Sequence, residues 1–179
     1  MSESIQSDKM RASINGLLES VELGNVFLDS FSAKLKRLAQ PDDLALELAI
    51  SYAVQSDRIL YRFNVKCVLV GAPGSLREVE TNESNRLEEA QSGVARKGPL
   101  LASVDLSLVC EYRTFEDFAP PKREVLEEFG DSVAIHVAYP YIREAISSMV
   151  MRLGFPALTI GFLADGKRTP TAVWGRRPT

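Results

Sequence analysis

The residues from which metal centres and most hydrolytic active sites are built are scarce in this sequence. Its 179 residues include two cysteines, Cys67 and Cys110, and one histidine, His136. A structural zinc site usually needs four Cys or His ligands, and a histidine-dependent catalytic triad would have to use His136 without a GxSxG turn. We therefore predict no metal, no cofactor and no enzymatic activity. Both cysteines lie on apolar strand positions and are interpreted as core residues.

Long apolar runs and a strong charge of one sign are also absent. No stretch approaches the roughly 20 apolar residues of a membrane helix, and the first residues lack the apolar centre of a signal peptide. Lys and Arg number 21 against 24 Asp and Glu, a net charge of −3 that argues against general binding to DNA or RNA. With 45% hydrophobic residues, the chain can bury the core of one globular domain. We expect a cytoplasmic protein that does not insert into membranes.

Four segments instead show the two-residue alternation of half-buried strands. Apolar residues fall on one parity of residues 23–35, 44–54, 59–69 and 100–112, and polar residues dominate the other parity in the last three. Strands buried on both faces of a parallel sheet would read as continuous apolar runs. Only residues 55–57 separate the second and third segments, so these two strands are predicted to form a hairpin. The first segment is compatible with a strand or a helix.

After the fourth strand, the apolar period changes to that of a helix. Pro120 and Pro121 precede a short helix that is predicted to end at a glycine C-cap, Gly130. A long amphipathic helix is predicted to begin at Pro140, since proline is tolerated in a first turn, and to end before Gly154. The predicted fold class is therefore α+β, with a four-stranded antiparallel sheet followed by a short helix and a long amphipathic helix.

Two segments fall outside this regular pattern. Residues 71–99 form a long, charged link between the third and fourth strands, which we interpret as an exposed loop with a short helix near 84–91. Its opening, Gly71–Ser75, lacks the GK[ST] of a phosphate-binding loop, so no ATP site is predicted. Residues 164–179 are rich in Pro, Thr, Gly and basic side chains and are interpreted as a disordered tail. Residues 1–163 would then make up the single domain.

The long helix carries a resemblance to a known family. Residues 139–150 read YPYIREAISSMV, and they are followed by Arg152, Gly154, Phe155, Pro156 and Leu158. This segment resembles the main-helix signature of the SecB export chaperones, and the order of strands, helix and short apolar segment agrees over residues 23–163. With its tail of Pro, Trp, Arg and Gly, the chain also resembles the SecB-like chaperones attached to toxin–antitoxin modules.

The resemblance implies a chaperone that holds unfolded or partly folded client proteins without ATP, as a cytoplasmic homotetramer built as a dimer of dimers. In this family, the first strand contributes to dimer formation and the main helices lie between two sheets. Carried over by position, the residues at the oligomer interface would be Tyr141, Ile142, Ala145, Ile146 and Met149.

Clients of the family lie in long apolar grooves between the sheet and the segment after the main helix. Each fully buried apolar side chain contributes about 1.5–3 kcal/mol, and a long groove sums such contacts without requiring one client sequence. The resemblance nominates a first group of client-binding residues: Leu44, Leu46, Leu48, Phe155, Leu158, Ile160 and Phe162. Phe27 and Phe31 are weaker candidates from the first strand.

Two departures from the family pattern bear on the client. The export chaperones share an acidic sheet surface that docks the SecA motor, whereas the polar parity of the third strand here carries Arg58, Arg62 and Lys66. The acidic C-terminal tail of those chaperones is replaced by a basic one. Both departures count against SecA as a partner and favour a dedicated client, such as an antitoxin, over general holding of preproteins for export. A small-ligand-binding domain on a similar sheet is a further alternative.

Overall fold

A computed structural model describes residues 2–72, 98–115, 118–161 and 172–174, with the backbone alone for residues 2–5 and 172–174. The predicted helix near 84–91, most of the 71–99 loop and Phe162 lie outside these residues. The elements follow one another as helix α1 (Ser2–Ser20), strands β1 (Val21–Leu35), β2 (Pro41–Val54), β3 (Arg58–Gly71) and β4 (Leu100–Thr114), helix α2 (Arg123–Phe129), a π-helical segment (Gly130–Ala134), helix α3 (Ile135–Arg152) and strands β5 (Leu158–Ile160) and β6 (Ala172–Trp174).

The four long strands form one antiparallel sheet in the order β1-β4-β3-β2. The Gly71 N–H donates to Pro99 O at one end of β3 and β4, and the Thr114 N–H donates to Asp57 O at the other end. Residues 55–57 connect β2 directly to β3, which confirms the predicted hairpin. The predicted sheet is therefore confirmed, and β1 and β2 are its two edge strands.

Burial is concentrated in the two central strands. On β3, the buried residues Tyr61, Phe63 and Val65 alternate with the exposed Arg62 and Asn64, as the sequence pattern predicts. Strand β4 is buried along most of its length, and β1 is exposed along almost all of its length. The central strands therefore supply most of the sheet's contribution to the core, whereas β1 remains an open edge.

The helical region differs from the prediction at Gly130 and Pro140. Gly130 does not cap α2, because its φ of −58° and ψ of −46° are helical and its N–H still bonds to Leu126 O. Helix α3 begins at Ile135 rather than at Pro140, which lies inside it. A proline within a helix costs about 3 kcal/mol. Burial of Ile135 and Ala138 before Pro140 offsets this cost and extends the helix backwards.

Two elements were not predicted. Helix α1 is polar and largely exposed, and Leu17 is its one fully buried residue between residues 6 and 20. Strand β6 lies within the segment interpreted as a disordered tail, yet it pairs antiparallel with β5. The remaining residues of 164–179 lie outside the described part of the chain. No helix in the described ranges is long and apolar enough to cross a membrane.

The chain divides into two compact units, to both of which the long strands and α3 contribute. The first comprises Met1–Phe31, Leu48–Val65 and Leu106–Glu144. The second comprises Ser32–Glu47, Lys66–Asp105 and Ala145–Thr179.

The first unit is built around an aromatic cluster. Tyr61 stacks on Phe129 with 5.6 Å between ring centroids, and Tyr112 meets Phe129 edge-on at 5.3 Å. Tyr61 Oη donates a hydrogen bond of 2.9 Å to Leu126 O, which fixes α2 on the sheet. Gly130 allows the helical region to approach this cluster, since a Cβ there would lie 3.0 Å from Tyr61 Cε1.

Candidate functional site

The segment after α3 is held in place by the end of that helix. Gly154 ends the helix with a φ of 88°, a conformation that glycine adopts without strain, and Leu38 Cδ1 lies 3.4 Å from the position of a Cβ there. The Phe155 N–H then donates to Val150 O at 3.2 Å. Helix and turn therefore place β5 at a defined position in the second unit.

The client-binding residues nominated in the second unit are already buried within the chain. Leu44 and Leu46 on β2 are buried, and Phe155, Leu158 and Ile160 after the helix are buried as well. Buried side chains of this kind have little area left to offer a client, because apolar binding depends on the area removed from water. Their role in client binding stays a prediction. Leu48 lies in the first unit and is half-buried.

The accessible apolar surface lies instead on β1, where the sequence placed its weaker candidates. Phe27 is 39% exposed and Phe31 is 56% exposed. Other large apolar side chains on this strand and just after it are also exposed: Leu23, Leu28, Leu35 and Leu38. The four-residue spacing of Leu23, Phe27, Phe31 and Leu35 was visible in the sequence, whereas Leu28 and Leu38 were missed. Leu23, Phe27 and Phe31 share one face of β1 within the first unit, and we define these three residues as the β1 apolar strip. Leu28 has the opposite parity, and Leu35 and Leu38 belong to the second unit.

An exposed apolar strip on an edge strand is a recognised mark of an interaction site. Monomeric proteins usually blunt such edges with charges, prolines or bulges, because an open edge can pair with another chain. Strand β1 contains no proline over its 15 residues. The open backbone edge and the apolar side chains together make β1 suited to extended polypeptide.

The residues nominated for the oligomer interface differ in burial. Ile142 and Ile146 are buried in the core of the single chain, whereas Tyr141 is exposed. Ala145 and Met149 are half-buried. The apolar face of α3 is thus used mainly inside the chain, and Tyr141 is the nominated residue most free to contact a second copy. The interface itself stays a prediction.

The basic side chains on β3 are largely paired within the first unit. The Arg62 guanidinium lies 2.6 Å from the Asp29 carboxylate, and the Arg58 guanidinium lies 2.7 Å from Asp57 and 3.6 Å from Glu111. The hydrogen bond from Arg58 holds the pKa of Asp57 below its usual range. Since acidic neighbours offset both arginines, the sheet surface here is less basic than the sequence of β3 alone suggests.

The cysteines lie where the sequence placed them, in the core. Burial raises the pKa of the Cys67 thiol to about 12, and burial likewise raises that of Cys110 to about 12. Both therefore stay protonated at neutral pH, and a protonated thiol is a poor nucleophile. His136 is exposed on α3. Among the described residues, no group of three His, Cys, Asp or Glu side chains is placed to hold a metal ion.

Comparison with known proteins identifies the fold as SecB-like. No protein-family model matches the chain, and no curated protein matches it in sequence. Among solved structures, it is similar to the Mycobacterium tuberculosis Rv1957 SecB-like chaperone in complex with a ChAD peptide from the Rv1956 HigA1 antitoxin. The match covers 87% of this chain and 99% of that chain, with a TM-score of 0.59 and 18% sequence identity. The fold implied by the main-helix resemblance is therefore confirmed.

Proposed function

We propose that this protein is a molecular chaperone that binds an unfolded or partly folded segment of one dedicated client, of the antitoxin class. The observation that carries the proposal is the exposed β1 apolar strip on the open edge of a SecB-like sheet. The antitoxin peptide bound by the similar SecB-like chaperone supports the class of client. Binding of this kind uses apolar burial and main-chain pairing, neither of which requires ATP.

The β1 apolar strip is long enough to bind by adding many small contributions. The part of its strand that lies in the first unit, residues 21–31, extends over about 36 Å at the usual rise per residue. Complete burial of a large apolar side chain contributes about 1.5–3 kcal/mol, so covering the exposed halves of Phe27 and Phe31 would contribute about 2 kcal/mol together. Micromolar affinity needs about 8 kcal/mol. A client would therefore have to run along much of the strand and pair with its backbone.

General holding of preproteins for export is the second candidate function. The pairing of Arg58 and Arg62 with acidic neighbours favours it, because the sheet surface is less basic than its sequence suggests. A preprotein chaperone would bind many unfolded proteins with similar affinity and would also bind SecA. A dedicated chaperone would bind its own client far more tightly than an unrelated unfolded protein.

The experiment combines solution mass with client binding. Light scattering should give a mass near four times 19.8 kDa if the chain forms the expected tetramer. The protein should suppress aggregation of an unfolded, apolar-rich client at a stoichiometric ratio without ATP. Binding of the ChAD peptide, measured by fluorescence anisotropy, tests the antitoxin class, and binding of SecA tests export. A protein that neither suppresses aggregation nor binds any of these probes would contradict the proposal.

A matched pair of variants tests the β1 apolar strip itself. Phe31→Ser removes an exposed ring from the strip, whereas Phe115→Ser removes an equally exposed ring (55%) that follows β4. We expect Phe31→Ser to weaken client binding by about fivefold to tenfold, in line with the loss of roughly 1 kcal/mol of apolar burial, and Phe115→Ser to leave it unchanged. Both variants should keep the mass of the wild-type protein. Equal effects of the two substitutions would show that the strip is not the binding surface.

A further inference from the structure

Strand β5 forms a two-stranded sheet of its own, separate from the four-stranded sheet. Its partner is the chain's own β6, in the antiparallel register Leu158↔Trp174, Thr159↔Val173 and Ile160↔Ala172. We infer that β5 is a strand-addition site for one extended apolar segment of a client, and that β6 is its resident occupant. The inference rests on the proposed function and specifies how one part of a client is bound.

Strand β5 is anchored within the second unit. Leu158 and Ile160 are 4% and 2% exposed, and the residue between them, Thr159, is exposed. Ser147 Oγ donates a hydrogen bond of 2.9 Å to Leu158 O, which ties the strand to α3. The strand is thus anchored on one face while its backbone can pair with an added strand. Main-chain pairing gives affinity without requiring one client sequence, and the buried alternate side chains fix the register.

The resident strand has the composition expected of a bound client segment. Residues 172–174 read Ala-Val-Trp, and β-branched and aromatic residues favour extended pairing. Pro170 precedes this apolar stretch, and Gly175 and two arginines follow it. These flanking residues interrupt the apolar pattern on both sides of β6. The ligand class for β5 is therefore a short apolar stretch in extended conformation, bounded by residues that disfavour strand.

Strand β6 is covalently linked to β5, so it competes with any client segment for the same edge. Eleven residues, 161–171, connect the two strands. A link of this length gives an effective concentration in the millimolar range, so a free segment of equal affinity at micromolar concentration is outcompeted by on the order of a thousandfold. A long client that is already bound elsewhere on the chain presents its segment intramolecularly. It therefore competes with β6 at a similar effective concentration. Strand β6 therefore selects against short peptides and in favour of multiply bound clients.

A reversible disulfide in the full chain tests the inference. Thr159→Cys with Val173→Cys places two thiols on directly opposite residues, whose Cα separation a disulfide can span. The native thiols of Cys67 and Cys110 are buried and protonated, so they should not compete. An unfolded, apolar-rich client should bind at least tenfold more weakly to the oxidised protein than to the same protein after reduction. Thr159→Ser with Val173→Ser, treated with the same oxidant, is the matched control and should show no change.

The opposite perturbation releases β6. Successive N–H groups of a strand point to opposite edges, so one of residues 172 and 173 directs its N–H towards β5. The double substitution Ala172→Pro with Val173→Pro removes that donor, whichever of the two residues supplies it. This variant should bind a short apolar peptide on the order of tenfold more tightly than the wild type. Trp174, the only tryptophan in the sequence, reports on β6 separately: its emission should change on client addition to the reduced disulfide variant and stay constant in the oxidised one.

The two proposals fail in different ways. If the wild-type protein binds the client and the oxidised, reduced and proline variants bind it equally well, β5 is not a client site and the proposed function stands. If the wild-type protein binds neither the client nor the peptide, the proposed function fails and the inference fails with it.

Discussion

Two buried tyrosines in the first unit should respond in opposite ways to the loss of a single oxygen atom. Tyr61 Oη donates a hydrogen bond of 2.9 Å to Leu126 O, whereas Tyr112 Oη is buried without a hydrogen-bond partner among the described residues. Both rings pack on Phe129, and burial raises the pKa of both phenols. Because Phe keeps the ring, replacing Tyr by Phe tests the hydroxyl group alone.

The magnitudes follow from what each hydroxyl group contributes. Tyr61→Phe loses a net hydrogen bond, worth about 0.5–1.5 kcal/mol. Leu126 O still accepts the N–H of Gly130, so this carbonyl is not left bare, and a loss of about 1 kcal/mol is expected. Tyr112→Phe removes a buried polar atom whose desolvation is uncompensated, and it should stabilise the fold by about 1 kcal/mol. The two variants should therefore differ by about 2 kcal/mol, roughly a thirtyfold ratio of unfolding constants.

Urea denaturation at one fixed protein concentration measures this difference. The midpoint should fall for Tyr61→Phe and rise for Tyr112→Phe, while the slope m stays that of the wild type. For a chain of this size, each kcal/mol should also shift the thermal midpoint by about 2–4 °C. Equal destabilisation by the two substitutions would show that the Tyr112 hydroxyl group is satisfied in solution, and the reasoning would be wrong.

Two further predictions concern glycines and pH. Gly130→Ala puts a Cβ 3.0 Å from Tyr61 Cε1, whereas Gly16→Ala meets nothing within 4 Å, so calorimetry should show about 1 kcal/mol of destabilisation for the first and about 0.5–1 kcal/mol of stabilisation for the second. Equal shifts would contradict the close contact at Gly130. Burial raises the pKa of Cys67 and Cys110 from 9.0 to about 12, so their contribution to stability is present below about pH 9 and is lost as the pH rises towards 12. The decline of the urea midpoint above pH 9 should flatten when both cysteines are replaced by Ala, and an unchanged decline would contradict this assignment.

The central strands were predictable because the alternation of apolar and polar residues in their sequence matches the alternation of buried and exposed side chains. Tyr61 and Phe63 alternate with Arg62, since successive side chains of a strand face opposite sides of the sheet. The start of α3 was not predictable by the same kind of rule. Local chemistry places Pro140 in a first turn, but the buried residues before it extend the helix beyond the proline. Tertiary packing outweighed the local preference there.

The candidate site was harder to predict than the sheet. Alternation along a strand shows that one face is apolar, but it does not show whether the rest of the chain covers that face. Leu44 and Leu46 have the same alternating pattern as exposed groove residues would have, yet they are buried. Phe27 and Phe31, which the resemblance made the weaker candidates, are the ones that are exposed. Strand β6 has only three residues, and its pairing with β5 depends on a contact that no local pattern records.

The edges of β1 and β5 differ, and the difference bears on the proposed function. Strand β5 is short and its edge is occupied by the chain's own β6, whereas β1 is long, apolar and open. Of the three charges on β1, Asp29 is engaged by Arg62 and does not protect the edge. An edge of this kind favours aggregation unless another polypeptide covers it. Under the proposed function, the open edge of β1 would hold another chain, and β6 on the short edge of β5 would select which chains are held.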